Sequence, residues 1–164
     1  IANGNKTYAS PLIYSGTKGT SLDSSGKINY YNELDGKFYT VDSLGNSEAR
    51  SLEIFPNAKN IAFSPNGNNA VIEFPDKTKI MYDFKNNRQY TLPSEAQDIQ
   101  FSRASDQLAY EFITDNPDNN WLIVAKTTGE SAAAVEHIGT ANTDGSVNAQ
   151  NIQLGTTKFR RVNP

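Results

Sequence analysis

The chain has 164 residues, with 15 Lys and Arg against 18 Asp and Glu and a net charge of -3. That length suits one domain with a substantial core. With no Cys it has no disulfide framework, thiol nucleophile or thiolate-held metal. The near-balanced charge excludes nucleic-acid binding driven mainly by phosphate neutralisation, and no run approaches 18 apolar residues, so no membrane span is expected.

In chain order, residues 1–10 read as a polar leader, and a short apolar run follows at Leu12-Ile13-Tyr14, the candidate first strand of an opening unit reached across a long loop. Residues 15–26 read as a Gly/Ser/Thr-rich loop. Lys27–Tyr31 and Lys37–Val41 are the arms of a hairpin, and Asp35-Gly36 between them supplies the positive φ of a tight turn. After a turn at Ser43–Asn46, Arg50–Ile54 reads as a third strand, ended by Phe55-Pro56.

Asn60–Phe74 then reads as strand, turn, strand. Shifted by 38 positions, Asp98–Phe112 repeats it without a gap: Ile61 matches Ile99, Phe63-Ser64 matches Phe101-Ser102, and Glu73-Phe74 matches Glu111-Phe112. Each stretch is followed by two more strands, at Lys79–Phe84 and Gln89–Leu92 in one unit, and at Trp121–Ala125 and Ala133–Ile138 in the other. The short Ser131–Val135 run between Gly129 and Gly139 has too little room for a stable helix, so it too reads as strand. A period of roughly 38–45 residues built from four-stranded meanders is the pattern of propeller blades.

Phe63-Ser64-Pro65-Asn66-Gly67-Asn68, followed by Ala70-Val71-Ile72, resembles the F-S-P-D-G-K signature of TolB-like, WD-repeat-like β-propellers. The stretches Lys27–Asp42 and Asp118–Ala125 are also similar to blades of extracytoplasmic bacterial propeller proteins. The resemblance covers three units and implies a blade architecture and a location outside the cytoplasm. Two departures stand out: Asn66 replaces the usual Asp, and Arg103-Ala104-Ser105 stands where Pro-Asp-Gly makes the tight turn.

The expected fold is therefore all-β, a β-propeller type with blades at about 10–58, 59–96 and 97–138. Residues 139–164 form a tail with a possible closing strand near 147–154 and a basic end at Lys158, Arg160 and Arg161. Three blades do not close a ring. Closure needs strands from the tail, a longer chain, or a second copy.

The candidate chemistry is thin. No Gly-rich phosphate loop or G-x-S-x-G appears. His137 is the lone His, with no sequence partner, and reads as structural or surface. Asp115 and Asp118 lie in an oxygen-rich loop that could offer calcium three or four ligands, but without the D-x-D-x-D-G spacing. Glu73 and Glu111 could form a glycosidase pair only if they converged; their repeat spacing favours equivalent structural roles on successive blades. Among the aromatics, Tyr31, Tyr39, Tyr110 and Trp121 are the candidates for a binding face, against core packing as the plainer role. Asn5-Lys6-Thr7 is a glycosylation sequon. The expected function is a non-catalytic binding or scaffold module outside the cytoplasm. It would need no cofactor or metal and would act through a protein partner or self-association. Carbohydrate binding and a surface filament or virion subunit assembling by strand exchange are the alternatives.

Overall fold

The computed structural model describes residues 11–138 and the strands Ile152–Leu154 and Thr157–Phe159. The fold is all-β, with three antiparallel four-stranded sheets in sequential order. The first contains β1 (Thr17–Leu22), β2 (Ile28–Asn32), β3 (Lys37–Val41) and β4 (Ser47–Ala49). The second contains β5 (Asn60–Phe63), β6 (Asn69–Glu73), β7 (Lys79–Asp83) and β8 (Arg88–Leu92). The third contains β9 (Ala96–Phe101), β10 (Gln107–Phe112), β11 (Trp121–Lys126) and β12 (Ala133–His137). A separate hairpin pairs β13 (Ile152–Leu154) with β14 (Thr157–Phe159). Of the possible closing strand near 147–154, residues 152–154 form β13, paired with β14; residues 147–151, the N-terminal sequon and the basic side chains of the tail lie outside the described residues. Among the described residues no helix is long and apolar enough to cross a membrane.

Strand alternation explains the packing, because successive side chains point to opposite faces. In the second sheet Ala70, Ile72, Ile80 and Tyr82 face the first sheet, where they meet Tyr31, Phe38 and Phe55. Val71 and Met81 face the third sheet and meet Leu108 and Tyr110. The middle blade is therefore buried on both faces, and its central strands read as continuous apolar runs for that reason. The outermost strands β4 and β12 are exposed along their whole length.

Two expected strands are corrected. Leu12-Ile13-Tyr14 is not a strand, and the first strand lies instead in the Gly/Ser/Thr-rich stretch, at β1. This strand carries few apolar side chains because it packs by close backbone approach. A Cβ on Gly19, at φ +55, would lie 2.7 Å from the Cβ of Ile61 in β5. Arg50–Ile54 is not a strand either. Arg50 still donates its N–H to the Phe38 carbonyl, but the Phe38 N–H goes to the Ser51 hydroxyl at 3.1 Å. The side chain replaces the next ladder bond, and the chain leaves the sheet.

The turn between the first two strands of each blade shows the repeat most closely. In the second blade Ser64 accepts from the Gly67 N–H and its own N–H bonds the Asn69 carbonyl. In the third, Ser102 accepts from Ser105 and bonds Gln107 in the same way. The departure at Arg103-Ala104-Ser105 therefore keeps the tight turn. Ser105 adopts φ 62 where Gly67 adopts φ 72.

Candidate functional site

Three of the four aromatic candidates are engaged within the fold. Tyr31 is 1% exposed, and its hydroxyl donates to the Phe55 carbonyl at 2.6 Å. Tyr110 is buried in the core between the second and third blades, where burial raises its pKa. Tyr39 is half-buried, stacked on Tyr30 with ring centroids 5.7 Å apart. Its hydroxyl donates to Asp35 at 2.5 Å, and that bond, followed by burial, pushes its pKa up to about 12. Trp121 is the partly open one, at 37% exposure, with its ring edge-on to His137 at 5.0 Å. These four side chains do not form one face.

His137 is exposed, and its Nε2 contacts the Asp118 carbonyl oxygen at 3.1 Å. The Asp115–Asn120 stretch is an inter-strand loop with a short 3-10 turn, Pro117–Asn119, capped by the Asn116 side chain. Among the described residues no group of three or more His, Cys, Asp or Glu side chains is placed to hold a metal. Glu73 and Glu111 occupy equivalent positions: each lies on the face of its blade that looks onward along the chain. Glu73 belongs to the junction of the second and third blades, while Glu111 is buried in the third. They do not share a pocket.

A concavity lies at that junction. It is a cavity of about 650 Å³, between the inner strands β5 and β9. The pleat explains its chemistry. Val71 pairs with Met81, and the next pair on the same face is Glu73 with Lys79. The apolar packing between the blades ends at Met81, and the face continues in charge. Lys79 is only 7% exposed. Its Nζ donates to the Ser94 carbonyl at 2.9 Å and the Lys77 carbonyl at 3.3 Å. Glu73 is held by Asn60 Nδ2 at 3.3 Å and Lys59 Nζ at 3.9 Å. From the third blade come Glu95, Asp98, Ile99 and Asp115. Asp98 adopts φ 49, where β9 slips register against β10 between Ala109 and Glu111. A bulge with a non-glycine residue in the left-handed region, at the rim of a cavity, is a local cost often met at binding sites. Neither Lys79 nor Asp98 was singled out by the sequence. Lys79 looks like any strand Lys until its neighbours are known.

No family model matches the chain, and no curated protein does. Solved structures do. The chain is similar to the tricorn protease, at 15% identity and a TM-score of 0.56, over 79% of this chain and 14% of that one. It is similar to TolB from Acinetobacter baumannii, at 14% identity and a TM-score of 0.50, over 88% of this chain and 40% of that one. An oligogalacturonate lyase in complex with manganese matches at 11% identity and a TM-score of 0.51, over 73% of this chain and 38% of that one. The three sheets are propeller blades. The chain spans less than half the length of each of these proteins, and at such identities the likeness is one of fold alone.

Proposed function

We propose that the chain is a non-catalytic binding module of propeller type, working outside the cytoplasm through contact with a protein partner. The observation that carries this reading is the cavity of about 650 Å³ between the second and third blades. Its size lies within the usual range for ligand sites, and it combines apolar walls with a few placed polar groups. Ala62, Val71 and Ile99 supply apolar surface, and Lys79, Glu73 and Asp115 supply the polar groups. The resemblance to extracytoplasmic propellers supports that location. The aromatic platform that carbohydrate binding would need is weakened, because Tyr31 and Tyr110 are in the core.

A synthetic peptide array probed with the full chain tests this. Bound peptides are expected to lose at least about tenfold in affinity on Ala62→Phe. Ala62 is exposed on β5 and lines the cavity, so the larger ring fills it without disturbing the core. An array with no bound peptide, or peptides indifferent to Ala62→Phe, overturns the reading. Recovery of cleaved or modified peptides would make the chain an enzyme instead.

A further inference from the structure

We propose that Lys79 captures the free carboxyl end of a peptide chain in the cavity between the second and third blades. This rests on the binding-module reading and names its ligand. Lys79 is 7% exposed and lines the cavity. An ammonium has three donors, and two of them go to the carbonyls of Ser94 and Lys77. Among the described residues no carboxylate lies within 4.0 Å of its Nζ; the Glu73 side chain, across the pair, is engaged by Lys59 and Asn60. A buried charge held only by carbonyl dipoles is costly, and a carboxylate brought by a ligand would complete its shell.

The surroundings narrow the ligand further. The carboxylates Glu73, Glu95, Asp98 and Asp115 line the cavity against the ammonium groups of Lys59, Lys77 and Lys79, so the lining is slightly acidic and opposes a phosphate dianion or an acidic run more than a single carboxylate. A peptide terminus carries a single negative charge, which one ammonium matches. Capture of chain termini is an established mode of peptide recognition. Basic or neutral residues preceding the terminus suit the acidic side of the cavity.

Calorimetric titration of the full chain with three probes tests this. The probes are an N-acetylated pentapeptide with one internal Lys and a free carboxyl end, the same peptide as its C-terminal amide, and inorganic phosphate. The free acid is expected to bind at least about tenfold more tightly than the amide or phosphate, the usual scale of a charge-assisted bond. Lys79→Gln, which keeps a donor for the carbonyls but not the charge, is expected to bring the free acid and the amide to equal affinity. Equal binding of acid and amide, tighter binding of phosphate, or a preference that survives Lys79→Gln each overturns the assignment. The acid–amide comparison needs only the wild-type chain, so a variant that fails to fold does not blunt the test. Peptides that bind with equal affinity as acid and amide, yet lose affinity on Ala62→Phe, would sink the carboxylate assignment and leave the module reading standing. Loss of all Ala62-dependent binding would sink both.

Discussion

Arg50 joins the first two blades through polar contacts. Its Nη1 donates to Asn29 Oδ1 and to the Gly67 carbonyl, both at 2.7 Å. The guanidinium lies 4.5 Å over the centre of the Phe84 ring. Burial pushes its pKa down, and the Asp23 charge opposes that. The side chain thus ties β2 and the β5–β6 turn together through hydrogen bonds and a cation–π contact. Gly67 permits this approach. At φ +72, a Cβ there would meet Asn29 Nδ2 at 2.5 Å. We expect Arg50→Ala to lower unfolding free energy by about 2 kcal/mol in urea titration. Arg50→Lys should recover less than half of that, because an ammonium lacks the planar fork.

Among the elements, the turns carry the repeat more faithfully than the strands do. Ser64 Oγ accepts the Asn69 N–H at 3.0 Å, and Ser102 Oγ accepts the Gln107 N–H at 3.1 Å. Asp23 Oδ1 takes the Lys27 N–H in the first blade, also at 3.0 Å. A short polar side chain therefore staples the same turn three times, as Asx and Ser turns do. The first-blade copy is not legible as a repeat, because Asp23-Ser24-Ser25-Gly26 shares no string with F-S-P-N-G. Successive turns also meet: Asn66 donates its N–H to Ser105 Oγ at 3.0 Å. This links the second and third blades and accounts for a Ser in a left-handed conformation. Ser105→Ala keeps the backbone cost and loses the bond, so about 1 kcal/mol of destabilisation is expected. Ser105→Gly relieves the backbone and should fall closer to wild type. Thermal unfolding of the two variants checks this ordering.

At the scale of the whole molecule, stability comes from faces packed blade against blade. Phe38 is the hub of the first junction. It is 0% exposed, with the rings of Tyr31, Phe55, Phe63 and Phe84 at 5.0–5.7 Å from its own. Phe38→Ala is expected to cost about 3–5 kcal/mol. In a blade array each unit leans on its neighbours. Denaturation followed by tyrosine fluorescence should therefore show the first blade loosening ahead of the other two in this variant. The same logic places the cavity at a junction, because a site built from two blades exists only once they are packed.

The sequence by itself determined the three-blade architecture. The gapless repeat at 38 positions, the alternating strands and the Gly and Asn turns are local signals, and pleat and turn chemistry act locally. It left out β1, whose backbone at Gly19 lies directly against Ile61 and leaves no apolar pattern to read. It also misplaced the fourth strand of the first blade, where one Ser hydroxyl, rather than any Gly or Pro, ends the ladder. The candidate site was invisible for a related reason. Lys79 and Glu73 read as ordinary charges on alternating strands, and Asp98 as a strand residue. Only the tertiary structure decides that Lys79 is buried with carbonyl partners, and that Asp98 sits in a bulge lining the same cavity. Burial and counter-charge are properties of neighbours distant in sequence, so the tertiary structure alone assigns them.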